Sequence, residues 1–371
     1  MVTIAISANT SWYLFNFRKN TITALIQQGY SVIAIAPFDE YSDKLLSLGC
    51  QFKHIDIDQG GTNPIKDIKT FICFYSIFQQ NCIDVVLNFT PKNNIYSTLA
   101  AKFHGTKSIN NIAGLGILFI NESVNSKIAR FLYKISQSSA SALFFQNESD
   151  RTLFLEKNIA PNVFSDRLPG SGVDLSRFSL SVAPDDNKVR FLLVARMIYE
   201  KGIKQYVESA RILKQKYGTS VELCLLGFLD VNSPSAVSTL DMNVWVNEGI
   251  INYLGVSDCV EEEIAKVDCM VLPSYYREGV PKSLLEAGAM GKPIVTTDNV
   301  GCRETVEQGV NGFLCEPRSC ESLTEKLELI INMTHEQRLA MGVKSREKMQ
   351  REFDEGLVIN KYIKAIEKCL N

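Results

Sequence analysis

Short apolar runs recur along this chain, and each is followed by a helix-patterned stretch and a turn. Val2-Thr-Ile-Ala-Ile-Ser7, Ser31-Val-Ile-Ala-Ile-Ala36, Asp84-Val-Val-Leu-Asn-Phe89 and Ala142-Leu-Phe-Phe-Gln146 are examples in the first half. Runs without in-out alternation are strands covered on both faces, and strands that alternate with helices pair in parallel. The series restarts at Val189-Arg-Phe-Leu-Leu-Val-Ala195 and continues through Val221–Gly227 and Asp268–Leu272. A chain of 371 residues exceeds one ordinary α/β core. The expected class is α/β with two Rossmann-like domains, 1–178 and 188–350, joined by the polar, aperiodic stretch Ser179–Lys188. An amphipathic helix within 351–371 is long enough to cross back to the first domain.

Composition narrows the classes of function. No run approaches the roughly 18 apolar residues of a membrane span, and no secretory leader pattern opens the chain, so a cytoplasmic protein is expected. Ten cysteines without CxxC pairs suit small core residues in a reducing compartment, with no metal site. A net charge of −2 gives no drive toward nucleic acid.

In the first series, Ser7–Arg18 is expected as a loop leading into a helix that ends near Gly29. It holds no glycine, which argues against the dinucleotide fingerprint GxGxxG. Its Trp12, Tyr13, Phe15, Asn16 and Arg18 suit contact with a sugar face or an anionic acceptor; anchoring the loop to the core is the competing role. Asp56-Ile-Asp58 spells a D-x-D that can hold a metal, but a strand with outward Asp gives the same letters and is the favoured reading. Ala113-Gly114-Leu115-Gly116 is a turn at a strand end that could admit a ligand closely. Within Ser126–Gln137, Lys127, Arg130 and Lys134 share one helical face beside Ile128, Phe131, Leu132 and Ile135, and Ile117–Ile120 adds apolar surface. Such a helix can lie on an anionic membrane or be an ordinary solvated one.

In the second series the informative stretch is 273–291, Pro-Ser-Tyr-Tyr-Arg-Glu-Gly-Val-Pro-Lys-Ser-Leu-Leu-Glu-Ala-Gly-Ala-Met-Gly. It follows the strand Asp268–Leu272, and Pro281 suits the first position of a helix whose positive end points above the strand ends. Ligands of open α/β sheets sit there. Glu278 in the loop and Glu286 in the helix would touch different parts of one hydroxyl-rich ligand. Arg196 and Lys201 flank the strand-to-helix loop of Glu200-Lys-Gly202, placing two cations where a diphosphate would lie.

Arg277-Glu-Gly-Val-Pro-Lys-Ser-Leu-Leu-Glu-Ala-Gly-Ala-Met-Gly-Lys-Pro-Ile-Val295 resembles family 4 of the glycosyltransferases, with support from Arg196, Glu200–Gly202, Gly301-Cys-Arg-Glu304 and Asn311-Gly-Phe313. The likeness covers most of residues 165–371 and is closest to bacterial enzymes of capsule, O-antigen and lipid-linked glycan synthesis. It implies the GT-B fold of two facing Rossmann-like domains: an acceptor-binding first domain, a nucleotide-sugar-binding second domain and a C-terminal crossover helix. It further implies a retaining, metal-independent transfer of a hexose or N-acetylhexosamine from a UDP-sugar, a substrate rather than a cofactor, to a polyprenyl-diphosphate-linked saccharide. Arg196 and Lys201 would hold the diphosphate, Glu286 the ribose and Glu278 the transferred sugar. Gly279, Val280 and Pro281 would face the sugar and phosphate, and Asn16, Arg18 and Gly114 would serve the acceptor. Ala113 stands where many relatives carry histidine, so no general base is assigned. The implied location is the inner face of the plasma membrane, peripherally bound to its anionic surface, with no nucleic acid partner. The competing functions are an epimerase or phosphorylase on the same fold, or a non-catalytic glycan-binding or nucleotide-binding scaffold.

Overall fold

The computed structural model describes residues 1–58, 63–115, 124–229, 231 and 233–371, so Ile117–Ile120 and Gly116 lie outside the described residues. Two compact units result: Met1–Ser171 together with Gly356–Asn371, and Gly172–Glu355. The polar stretch 179–188 lies within the second.

In the first unit the elements run β1 (Thr3–Ser7), α1 (Ser11–Gln27), β2 (Ser31–Ala36), α2 (Ser42–Ser47), β3 (Gln51–His54), α3 (Pro64–Asn81), β4 (Val85–Asn88), α4 (Thr98–His104), β5 (Lys107–Ile112), α5 (Val124–Gln137), β6 (Ala142–Phe145), α6 (Glu148–Glu156) and β7 (Ser165–Arg167). The parallel sheet is ordered β3-β2-β1-β4-β5-β6-β7. The chain steps outward one way from β1 to β3, then back to β4 and outward the other way. Right-handed crossovers therefore send α1 and α2 to one face and α3 to α6 to the other. The cores agree: Leu14, Ile22, Leu25 and Leu45 bury on one face, Phe74, Phe78, Ala101, Tyr133 and Phe154 on the other.

Two local expectations change. The first loop is short, because Thr10 caps α1 by accepting from the Tyr13 N–H at 3.0 Å. Trp12, Tyr13, Phe15, Asn16 and Arg18 thus lie in its first turns rather than in a loop. The third strand stops at His54, after which Asp56 pairs with His54 and Asp58 with Lys66. The helix α3 is an element the apolar pattern does not predict.

The second unit holds β8 (Val189–Val194), α7 (Ile203–Tyr217), β9 (Val221–Leu226), α8 (Thr239–Asn247), β10 (Asn252–Tyr253), α9 (Val260–Ala265), β11 (Cys269–Leu272), α10 (Lys282–Ala289), β12 (Ile294–Thr297), β13 (Gly312–Cys315), α11 (Cys320–Ile331) and α12 (His335–Glu352). Its parallel sheet is ordered β10-β9-β8-β11-β12-β13. The cysteines Cys224, Cys269, Cys302 and Cys315 are buried there as small core residues.

The last helix, α13 (Glu355–Leu370), begins in the second unit and packs in the first. Tyr362 is fully buried, edge-on to Phe89 and Phe144 at 5.7 and 5.5 Å, and Asn111 Nδ2 donates to its hydroxyl at 2.9 Å. Lys361 adds an exposed pair with Asp166 at 2.7 Å, worth little by comparison. Tyr362→Ala should cost the first unit about 3–5 kcal/mol, read from denaturant unfolding, and Tyr362→Phe only about 1 kcal/mol.

Candidate active site

The site in the second unit is assembled by two close backbone approaches. After β8, Arg196 stands exposed and Tyr199–Lys201 forms a single 3-10 turn ending at Gly202. Gly202 has φ +80°, and a Cβ on it would meet the Pro273 carbonyl oxygen at 2.1 Å. The Glu200 carbonyl also accepts from the Tyr275 and Tyr276 N–H groups at 2.9 and 3.2 Å. Only glycine lets the Lys201 turn lie on the end of β11 in this way. Across the loop, Gly301 has φ +80°, and its Cβ would meet the Gly279 carbonyl oxygen at 1.6 Å. Asn299 Nδ2 ties the same segment to the Tyr276 carbonyl at 2.8 Å.

These approaches bring Lys201 and Glu278 into an ion pair, each side chain 12% exposed, and Ser274 Oγ donates to the same carboxylate oxygen at 2.9 Å. The ammonium also lies 5.8 Å from the Tyr276 ring centre. Burial and the Glu278 charge raise the pKa of the Tyr276 hydroxyl, and the Arg196 charge opposes that rise. Gly279, Val280 and Pro281 are buried behind Glu278. Pro281 is extended, with ψ 120°, and occupies the cap of α10 rather than its first turn, so the helix starts at Lys282. The leading amides of α10 still precede the helix's own hydrogen bonds.

Glu286 sits in the fifth position of α10 and is buried. Burial pushes its pKa up to about 7, while the charges of Lys282 and Arg177 oppose the rise. Arg177 is itself paired with Glu261 at 2.9 Å. Asn311, part of a motif quoted above, is buried and bonded to the Thr305 carbonyl and the Glu307 N–H at 3.0 and 2.6 Å, which makes it a brace for the loop.

The structure thus brings Lys201, Glu278, Gly279, Val280 and Pro281 together, with Arg196 exposed just past β8 and Glu286 one turn into α10. Ser274, Tyr276, Asn299 and Arg177 are participants that the sequence reading passes over. Ser274 and Asn299 could be found from their positions, one directly past the proline that ends β11 and the other two residues ahead of Gly301.

Asn16, Arg18 and Gly114 belong to the first unit. Asn16 is half-buried and donates to the Trp12 carbonyl at 3.0 Å. Arg18 is 1% exposed; its guanidinium lies 4.2 Å over the Phe89 ring and donates to the Tyr13 hydroxyl at 3.0 Å. Arg18 therefore anchors α1 to the core instead of offering a surface cation, because an arginine stacked on rings gives up contact with water. Gly114 follows β5 with φ +145°, beside an exposed Ala113. Close by, a buried chain runs from Ser7 to Asn88 at 2.6 Å, on to Asn110 at 2.8 Å, and from Asn110 to Gln137 at 2.6 Å. This network across the ends of β1, β4 and β5 is a further feature missed from sequence.

Residues 177–348 match the family model described as glycosyl transferases group 1, and residues 3–147 match glycosyl transferase 4-like. A curated protein of Campylobacter jejuni, N,N'-diacetylbacillosaminyl-diphospho-undecaprenol alpha-1,3-N-acetylgalactosaminyltransferase, is 28% identical over 96% of both chains. An Escherichia coli UDP-Gal:alpha-D-GlcNAc-diphosphoundecaprenol alpha-1,3-galactosyltransferase is 23% identical over 71% of this chain and 70% of its own. A Staphylococcus aureus capsular polysaccharide biosynthesis glycosyltransferase, CapM, is 24% identical over 84% of this chain and 85% of its own. Among solved structures, a glycosyltransferase from Rickettsia africae has a TM-score of 0.79 at 17% identity, covering 100% of this chain and 99% of its own. Anabaena HepE in complex with UDP-glucose has 0.76 at 16% identity over 100% and 99%. These structural likenesses establish the GT-B fold.

Glu286 also links the site to pH. Its folded pKa, about 7, exceeds the ordinary 4.5, so the protonated carboxyl favours the folded state. The resulting stability is complete below the unfolded value and is lost as pH rises through about 7. Glu286→Gln should therefore unfold at higher denaturant than the unchanged protein at pH 8, by on the order of 2–3 kcal/mol, with the gap closing toward pH 5.

Proposed function

Because the chain belongs to the glycosyl transferases of group 1 and the 4-like family, we propose that it moves a hexose or N-acetylhexosamine from a UDP-sugar to a polyprenyl-diphosphate-linked saccharide, with retention of configuration and without a metal ion. The observation that carries this reading is the pairing of Lys201 with Glu278 at the mouth of α10, with Arg196 close by. The substrate class is supported by relatives whose names specify undecaprenyl-diphosphate acceptors. Retention is supported by the alpha-1,3 product of the relative named for UDP-galactose, since that donor carries its sugar in α linkage.

In this mechanism the departing UDP gains negative charge as the bond to the sugar anomeric carbon breaks. Arg196, Lys201 and the leading amides of α10 meet that charge with groups already in place. They do the work a divalent cation would otherwise do. Glu286 accepts hydrogen bonds from the ribose hydroxyls, and Arg177 beside it favours the ionised carboxylate that accepts them best. Glu278 holds hydroxyls of the transferred sugar, while Ser274 and Lys201 fix its orientation. The acceptor hydroxyl attacks from the leaving-group side and passes its proton to the departing phosphate, so Ala113 in place of a histidine leaves the step intact. Asn16 and Gly114 remain the acceptor-side residues, with Arg18 positioning Tyr13. The protein works at the inner face of the plasma membrane, as a peripheral protein. No helix among the described residues is long and apolar enough to cross a membrane.

Arg196 gives the cleaner mutational test, because Lys201→Ala would also strand the Glu278 carboxylate in a largely buried place. Arg196→Ala should leave the melting temperature unchanged and lower kcat by about 10²–10³-fold in a purified assay of UDP release. Near-normal turnover would remove the diphosphate assignment. The same assay should be indifferent to EDTA, and the product should show an α anomeric proton by NMR; loss of activity with EDTA or a β product would overturn the mechanism.

A further inference from the structure

The outer surface of α3, α4 and α5 is apolar where a solvated layer should be polar. Along α3, Ile65, Ile68, Ile72 and Tyr75 are exposed at i, i+3, i+7 and i+10, so they form one stripe. On α4, Phe103 is 72% exposed and meets Phe71 of α3 edge-on at 5.9 Å. On α5, Ile128, Phe131 and Ile135 form a second stripe at i, i+3 and i+7, with Phe131 61% exposed. The three helices cover one face of the first sheet through Phe74, Phe78, Ala101 and Tyr133, so these stripes point away from the sheet. Scattered surface hydrophobes are ordinary, but two stripes on helices of one layer, with an exposed phenylalanine on α4, which packs against both, make a patch.

Charge decides what covers it. The three helices carry Lys66, Lys69, Lys102, Lys127, Arg130 and Lys134, and the single acid Asp67. Asp67 is turned inward to Lys92 at 2.7 Å and does not face solvent freely, and Lys66 reaches Asp58. A layer this basic within a chain of net charge −2 is a local concentration of positive charge. A second copy would set these lysines against one another, whereas an anionic bilayer takes up both the apolar stripes and the lysines that flank them.

We propose that α3, α4 and α5 together form the docking face of this protein for an anionic lipid bilayer. The inference rests on the lipid-linked-acceptor reading and gives it a geometry. Helices of a parallel sheet run antiparallel to its strands, so the first turns of α3 and α5, with Ile65, Ile68, Ile128 and Phe131, lie toward the carboxyl ends of the strands. That is the edge holding Ala113 and Gly114 at the end of β5. A diphosphate at the headgroup level would meet this edge without its lipid tail leaving the membrane.

Flotation of the full chain on vesicles of phosphatidylethanolamine and phosphatidylglycerol tests the proposal, with phosphatidylcholine vesicles as the neutral comparison. The unchanged protein should float with the anionic vesicles and lose binding as salt rises. Ile68→Ser combined with Phe131→Ser, both at exposed positions, should lower partitioning by roughly tenfold or more. Lys127→Glu with Lys134→Glu should abolish the preference for anionic over neutral vesicles. Each variant should keep its melting temperature and its transfer to a short-chain, water-soluble acceptor. Flotation equal to that of the unchanged protein in both variants would overturn the docking face, and so would a dimer in sedimentation that Ile68→Ser with Phe131→Ser converts to monomer. Absence of transfer to any diphosphate-linked acceptor, with flotation behaving as described, would instead overturn the catalytic reading and leave the docking face standing.

Discussion

The site in the second unit depends on backbone passing where a side chain cannot. Gly202 lies against the Pro273 carbonyl and Gly301 against the Gly279 carbonyl, both at φ +80°. An alanine at either position would have to push its methyl into a carbonyl oxygen while adopting a backbone shape that L-residues disfavour. Those two contacts set the height of the Lys201 turn over β11 and the height of the Glu278 loop over α10. The ion pair between Lys201 and Glu278 follows from them, and so does the direction in which both side chains project. These candidate groups stand on glycine-defined crossings of loops, and the parallel strands β8, β11 and β12 hold those crossings in place.

A largely buried ion pair is poor evidence for stability, because each charge loses hydration that the other only partly restores. Its presence here is better understood through what it can exchange. Lys201 has Glu278 as its partner, and Glu278 is additionally held by Ser274. A ligand phosphate can take the ammonium without leaving the carboxylate unsatisfied, since Ser274 remains and sugar hydroxyls can donate to it. The raised pKa of Glu286 belongs to the same economy of charge. Burial disfavours its ionised form, and hydroxyl donors from a ribose would restore it.

Much of the fold was legible because buried parallel strands are written as unbroken apolar runs. Val2–Ser7, Ser31–Ala36 and Val189–Ala195 each contain the observed strand. The candidate site groups stand out for a different reason: Arg196 just past β8, and Lys201 and Glu278 in the loops that follow β8 and β11, are charged residues set against apolar strands. What escaped followed from the same rules. The helix α3 carries apolar residues on its exposed stripe as well as its buried one, so the polar contrast that reveals a helix is missing. The network of Ser7, Asn88 and Asn110 is formed by residues far apart in sequence, each of which alone suggests a turn or a strand end. Arg18 was misplaced because a sequence cannot tell a surface guanidinium from one stacked on Phe89 and Tyr13.

The helix that hid from pattern reading is also the one that changes the account of the first unit. A basic face on α5 alone is ambiguous, since lysines at i, i+3 and i+7 are what any solvated helix can show. Ile65, Ile68 and Ile72 of α3, and Phe103 of α4, are what favour the proposed bilayer face over an ordinary solvated one: water gains nothing from a surface that is apolar across three elements. The opposite face of the same sheet makes the contrast. There, α1 and α2 cover the strands and α13 is packed over them by the buried Tyr362, Val358 and Ile366, with Leu357 and Leu370 left exposed. One face of the first sheet is thus closed by the returning C-terminal helix, while the other is left apolar and positively charged. That asymmetry is what an enzyme needs if its acceptor headgroup is presented by a surface it must touch but not enter.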